Sequence, residues 1–180
     1  YEQPLFKPLT FAIRQKERLG IQGANGSGKS SLIASILGTF DGQQTGTIKT
    51  AHGITISYVR QNYEDNCGML TEFAQEHGLN YQDLLNNLKK LGLERTVFQT
   101  PIQQMSMGQR KRVELAKSLA TPAELFIWDE PLNYLDVFNQ KQLEEVIHLV
   151  EPSMLIIEHD RYFLEQVSTK LLTLTIDEVE

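Results

Sequence analysis

Gly23-Ala24-Asn25-Gly26-Ser27-Gly28-Lys29-Ser30 carries two glycines with four residues between them, followed by a lysine and a hydroxyl. That is a phosphate-loop pattern, and its residue types follow from what a triphosphate needs. Several backbone N–H groups must turn inward around the phosphate oxygens, a conformation and a close approach that glycine permits cheaply. Gly23, Gly26 and Gly28 supply that freedom, Lys29 places a positive charge near the β and γ phosphates, and the Ser30 hydroxyl is a ligand for Mg²⁺. Asn25, Ser27 and Ser31 complete the run of candidate nucleotide contacts.

A flexible Gly/Ser connection has a similar composition, so the flanks decide. Upstream, Arg18-Leu19-Gly20-Ile21-Gln22 reads as a short strand; downstream, Leu32, Ile33, Ile36 and Leu37 share one helical face, with Gly38 as a stop. Strand, glycine loop and helix is the context the motif requires, and the helix N-terminus adds partial positive charge and free N–H groups beneath the phosphates.

The 180 residues suffice for one domain with a sizeable core and a small subdomain. A net charge of −6 and a pI near 5.3 argue against a surface that binds nucleic acid by bulk electrostatics. The single cysteine, Cys67, excludes an internal disulfide, fits a reducing compartment, and is expected as a small buried apolar residue. No apolar stretch approaches membrane-spanning length and no signal peptide is recognisable, so the expected setting is soluble and cytoplasmic. The chain begins at Tyr1 without a methionine, which reads as a piece of a longer protein.

Strands are expected near Thr10 to Gln15, Arg18 to Gln22, Ile54 to Val59, Glu124 to Trp128, Met154 to Ile157 and Lys170 to Ile176. Leu125-Phe126-Ile127-Trp128 and Met154-Leu155-Ile156-Ile157 are continuous apolar runs, as in parallel strands covered on both faces. From Asn62 to Gln104 helical patterns prevail, such as Tyr81 to Leu91 with Leu84, Leu85, Leu88 and Leu91 on one face; this stretch reads as a small helical insertion.

Asp129 and Glu130 follow the strongest apolar strand and precede Pro131, at the strand end where open α/β sheets bind ligands. With Mg²⁺ in place, Asp129 can hold the ion through water and Glu130 can deprotonate an attacking water. Two adjacent acids alone are more often a solvated turn, and the preceding phosphate loop reverses that weighting. Ser106 and Gln109 form a Ser-x-x-Gln capping box at the start of a helix. Arg110, Lys111 and Arg112 in its first turn oppose the helix dipole, which leaves two readings open, a nearby anion or a solvated basic face. His159 closes the Met154 to Ile157 strand, within reach of a γ phosphate. His52, His77 and His148 lack such placement and read as surface or packing residues.

In this order, these elements resemble the nucleotide-binding domain of the ATP-binding cassette (ABC) superfamily, over nearly the whole chain. Gly23 to Ser30 looks like Walker A and Leu125 to Glu130 like Walker B with its catalytic glutamate. Gln61 resembles the Q-loop glutamine that touches Mg²⁺ and the attacking water. Ser106, Gly108 and Gln109 match the signature, Asp136 the D-loop aspartate and His159 the switch histidine. Tyr1 lies where the family carries an adenine-stacking aromatic. The implied fold is α/β, a P-loop NTPase of the ABC type: a mostly parallel sheet, an N-terminal antiparallel β part, and a helical subdomain at 62–104 within a single domain at 1–180. The implied site has Glu130, His159 and Gln61 as catalytic residues, Ser30, Gln61 and Asp129 at Mg²⁺, and ATP as the nucleotide.

Pro131-Leu132-Asn133-Tyr134-Leu135-Asp136 and His159-Asp160-Arg161-Tyr162-Phe163-Leu164 are similar to strings of the ABC-F class. Its members carry two cassettes in one chain, lack membrane domains and act on ribosomes. Met105 and Met107 in the signature resemble the C-terminal cassette of Gram-positive antibiotic-resistance members. The resemblance implies an ATPase whose partners are a second cassette in the same parent chain and the ribosome, with no direct membrane insertion, and it leaves the isolated cassette free to be monomeric. Ser106, Gly108 and Gln109 would act on the nucleotide held by the other cassette. An ABC transporter subunit and a nucleotide-gated interaction module with little turnover are the alternatives. Two residues depart from the pattern: Met107 replaces a glycine of the signature, and Glu158 stands where Ser or Thr is usual, adding an acid near the γ phosphate unless it points away along the strand.

Overall fold

A computed structural model describes residues 6–175. Five parallel strands form one sheet: β1 (Arg18–Gly23), β2 (Ile56–Val59), β3 (Leu125–Asp129), β4 (Met154–Ile157) and β5 (Lys170–Leu174), in the spatial order β2-β3-β4-β1-β5. Six α-helices accompany them: α1 (Lys29–Leu37), α2 (Leu70–Glu76), α3 (Tyr81–Lys90), α4 (Met107–Ala120), α5 (Val137–Val150) and α6 (Arg161–Val167). Between Asn62 and Gln104 lie α2, α3 and the 3₁₀ turns Arg95–Gln99 and Ile102–Gln104, with no strand.

The apolar runs form strands because both of their faces are covered. Along β3 and β4, Phe126, Trp128, Met154 and Ile156 enter one core with the helices from α2 to α6, while Ile127, Leu155 and Ile157 enter a second core with Leu32 and Ile33 of α1. Alternation across the pleat splits each run between the two cores. At 25 cal/mol for each Å² of apolar surface, burying one such side chain contributes about 1.5–3 kcal/mol. Helix α3 buries Leu84 and Leu88 completely, with Leu91 beside them and Leu85 partly covered.

The expected antiparallel β part is absent among the described residues. Thr10–Gln15 is no strand, and residues 39–55 contain none that could pair with it. The alternation in that segment reflects a different cause: Phe11 and Ile13 are half-buried against the second core while Ala12 and Arg14 are exposed. One face is covered without a ladder, and period-2 patterning reports the first without requiring the second. Tyr1 and Ile176 lie outside the described residues.

Cys67 also departs from expectation, being exposed rather than buried. It follows Asn66, whose side chain takes the buried position in that loop.

Candidate functional site

The sheet order aligns the chemistry. Read along the C-terminal edge, β2 leads to Gln61, β3 to Asp129 and Glu130, β4 to His159, and β1 to the glycine loop. The register makes this alignment tight, because Asp129 and Ile21 both pair with Ile157, so the three lie abreast. A parallel sheet puts all of its carboxyl ends on one side, so four segments distant in sequence converge there.

The loop after β1 wraps back on itself. Gly26 and Gly28 take left-handed φ of 78° and 88°, which a side chain resists, and Gly28 is the N-cap of α1. Lys29 is buried, and its Nζ donates to the carbonyls of Gly23 and Ala24, each at 2.9 Å. An ammonium carries three protons, so two hold it at the mouth of the loop and a third remains for a ligand. Ser27 is also buried, its Oγ without a hydrogen-bond partner, whereas Asn25 and Ser30 are exposed and Ser31 is half-buried. A cavity of about 530 Å³ runs from Gly23 and Ala24 to His159 on one side and to Thr173 and Thr175 at the end of β5 on the other.

Glu130 and His159 meet directly. Glu130 adopts a left-handed φ of 49°, bending the chain as it leaves β3 while its N–H still donates to the Ile157 carbonyl at 2.8 Å. A non-glycine residue held there costs of order 1 kcal/mol or more and marks a position set by its surroundings. Its Oε1 lies 3.1 Å from His159 Nε2, and its Oε2 accepts from Asn133 Nδ2 at 2.7 Å. Asp129 is 2% exposed, and Oδ1 has no hydrogen-bond partner. Burial and then the Glu130 charge push its carboxyl up to about 6, against the opposing pull of Gln61, Lys111 and Lys29.

The candidate signature residues sit elsewhere on the surface. Ser106 caps α4, with the Gln109 N–H donating to Ser106 Oγ at 3.3 Å and the Ser106 N–H to Gln109 Oε1 at 2.9 Å. Gly108 packs so tightly that a Cβ there would lie 2.7 Å from the Tyr134 carbonyl. Asp136 caps α5, accepting from the Asn139 N–H at 2.8 Å and from Asn139 Nδ2 at 2.6 Å. Among the described residues no hydrogen bond joins these groups to the glycine loop.

Residues 6–133 match the family described as ABC transporter. The chain belongs to that family as an ATP-binding cassette domain. The cassette is 33% identical, over 99% of its length, to the ribosome protection protein VmlR of Bacillus subtilis (strain 168), of which it covers 33%. It is 27% identical, over 95% of its length, to ABC transporter F family member 5 of Arabidopsis thaliana, of which it covers 25%. The chain thus spans a quarter to a third of the length of these relatives. Among solved structures, the archaeal ribosome recycling factor aABCE1, in complex with ribosomal stalk protein aP1, matches with a TM-score of 0.74 and 26% identity, over 89% of this chain and 32% of that one. An inward-facing putative metal-chelate type ABC transporter gives 0.75 at 22% identity, over 97% of this chain and 75% of that one, a likeness of fold alone.

The family binds ATP, typically with Mg²⁺, and hydrolyses it. The cassette's donors fit such a cation: Ser30, Gln61 and Asp129 offer only oxygen, and Asp129 keeps one oxygen buried and unbonded. Among the described residues no group of three or more His, Cys, Asp or Glu could hold a metal ion.

The three basic residues of α4 have different surroundings. Arg110 donates to the carbonyls of Ile102, at 3.1 Å, and of Gln103; Arg112 donates to those of Gly108 and Gly92, at 3.1 and 3.0 Å; Lys111 is buried with Nζ 5.5 Å above the Tyr63 ring. The two arginines are thus tied to backbone carbonyls while half-buried, and Lys111 is buried near the carboxylates of Glu114, Glu158, Asp129 and Glu130. Glu158 is buried as well. Its carboxylate is 4% exposed and accepts from the N–H of Leu132 at 2.9 Å and of His159 at 2.6 Å, so it braces the turn after β3. Asn133, which orients Glu130, was legible only as one letter of the Pro131 to Asp136 string.

Proposed function

We propose that this cassette binds and hydrolyses Mg-ATP as part of a cytoplasmic ABC-F protein that acts on the ribosome in antibiotic resistance, and that full turnover requires a second cassette. The observation that carries the catalytic reading is the contact between Glu130 and His159, 3.1 Å apart at the ends of β3 and β4, beside the glycine loop. Glu130 is the general base: Asn133 and His159 hold its two oxygens, so the carboxylate faces one direction, and proton transfer by a positioned base contributes about 10²–10⁴-fold. Lys29 and the loop N–H groups hold the β and γ phosphates, and His159 meets the γ phosphate across the cavity. Ser30, Gln61 and Asp129 would hold Mg²⁺, which would supply positive charge beside the phosphate oxygens. Gln61 acts with Glu130 on the water.

The other cassette's nucleotide is the proposed target of Ser106, Gly108, Gln109 and Asp136. In support, Met107, Tyr134, Val137 and Phe138 beside them are 40%, 61%, 81% and 70% exposed, an apolar surface of the kind a partner covers. The ribosomal role rests on similarity to the ribosome protection protein and on the strings Pro131 to Asp136 and His159 to Leu164. In the full-length protein, Glu130→Gln is expected to retain ATP binding, to lose at least about 100-fold in phosphate release, and to co-sediment with ribosomes when ATP is present. An active Gln variant refutes the role of Glu130, and loss of co-sedimentation refutes the ribosomal role.

A further inference from the structure

We infer that Glu114 is a positioning residue for Gln61, clamping the loop that carries it, on both sides of Gln61, to the helix that starts at the signature. This rests on the reading of Gln61 given above.

Glu114 lies at the middle of α4 with its side chain fully buried. Three donors surround the carboxylate: Arg60 Nε to Oε1 at 3.3 Å, Asn66 Nδ2 to Oε2 at 2.8 Å and Lys117 Nζ to Oε2 at 2.7 Å. Arg60 immediately precedes Gln61, and Asn66 follows it later in the same loop between β2 and α2. The loop also closes on itself, with Arg60 Nη1 donating to Asp65 at 2.8 Å, Arg60 Nη2 to Asn66 Oδ1 at 3.1 Å, and the Asn66 N–H to the Tyr63 carbonyl at 3.1 Å. Between these anchors Gln61 is exposed, free of the clamp and aimed by it.

Two further points bind α4 to this loop and to the strands β2 and β3. Lys111, one turn before Glu114, sits over the ring of Tyr63, and Ser118, one turn after, bonds Ser57 of β2 at 2.7 Å and accepts from Trp128 Nε1 of β3 at 2.9 Å. Lys111, Glu114 and Ser118 are each 1% exposed or less, so α4 turns a polar stripe inward at helical spacing. A buried ion pair contributes little net stability compared with well-packed apolar residues of similar volume, because the charges must be desolvated. What the arrangement fixes is geometry: Gln61 and the N-terminus of α4 move as one body. An anion engaged at Ser106 is thereby registered at Gln61 through a rigid helix.

The test is steady-state ATP hydrolysis by the full-length protein carrying Glu114→Gln, Gln61→Ala and both. An amide offers one acceptor oxygen to three donors, so the loop loses an anchor while the side-chain volume is kept. Glu114→Gln is expected to lower kcat about tenfold or more while KM for ATP stays within about twofold, since misplacement by an ångström costs up to about 100-fold. The double variant is expected to be no slower than Gln61→Ala alone, because both changes remove one function. Should Glu114→Gln fail to fold, Arg60→Gln, at the half-exposed end of the same network, is read by the same criteria. Unchanged kcat, or losses that multiply in the double variant, would overturn the inference. A fully active Gln61→Ala protein would overturn the reading of Gln61 and the clamp with it, and that result is distinct from an inactive Gln61→Ala beside an active Glu114→Gln.

Discussion

Lys111→Met should make this chain more stable at neutral pH and bring the chain's pH dependence nearer to flat on the alkaline side. Burial pushes the Lys111 ammonium down from its ordinary 10.5 to about 8, even though Glu114, Glu158, Asp129 and Glu130 all pull it up. Only between about 8 and 10.5 does the unfolded chain hold a proton that the folded chain lacks, so stability rises with pH across that window. Below 8 the ammonium is charged in both states and its burial is opposed in full. That gap, at about 1.4 kcal/mol for each pH unit, amounts to about 3 kcal/mol. Methionine matches the length of the side chain and forfeits the contact with the Tyr63 ring, worth about 1 kcal/mol. The net gain is about 2 kcal/mol, or roughly 4–8 °C in Tm for a chain of this size. Trp128 is the single tryptophan, fully buried and bonded to Ser118 of α4, so its fluorescence in urea reports the packing in question. A variant less stable than the parent at pH 7, or one whose advantage fails to shrink between pH 8 and 10.5, refutes the reasoning.

Two further substitutions probe the surface that the proposed partner cassette meets. Gly108→Ala forces a Cβ to within 2.7 Å of the Tyr134 carbonyl, so α4 and the turn before α5 must separate; a loss of about 1–3 kcal/mol in urea unfolding is expected, and wild-type stability would show that the turn yields freely. Asp136→Ala should cost about 1 kcal/mol by removing the cap on the Asn139 N–H, while Asp136→Asn should be nearly neutral; equal losses in thermal unfolding would show that the side-chain acceptor is not what holds the end of α5.

Where a motif and its flanking pattern coincide, the sequence reads closely: Met154 to Ile157 is a strand with the bounds expected, and the apolar face from Leu32 to Leu37 belongs to a helix that Gly38 ends with φ 72°. Both depend on local periodicity and on one residue's conformational freedom. Thr10 to Gln15 misled because a ladder is a property of two segments, and alternation in one says nothing about whether the other is present. Glu114 was invisible for a related reason. An acid inside a helix reads as solvated unless its partners are known, and Arg60 and Asn66 stand about fifty residues away in sequence. The partners of Arg110 and Arg112 were hidden in the same way, since the carbonyls of Ile102 and Gly92 belong to turns that pack beside α4.

Three carboxylates stand at the ends of adjacent strands, and hydrogen-bond saturation separates their roles better than proximity to the phosphate loop. Both oxygens of Glu158 accept backbone N–H groups, so its charge is committed to holding the Leu132 turn and the start of the His159 segment. Each oxygen of Glu130 meets a side chain, Asn133 or His159, that can rotate away, which leaves it oriented yet available to a proton. Asp129 keeps Oδ1 buried with no partner, the costliest arrangement of the three for an anion and the one that a divalent cation most relieves. The acid in place of the usual Ser or Thr at 158 is therefore a brace: the two N–H groups that bond it also set the turn from which Asn133 reaches Glu130.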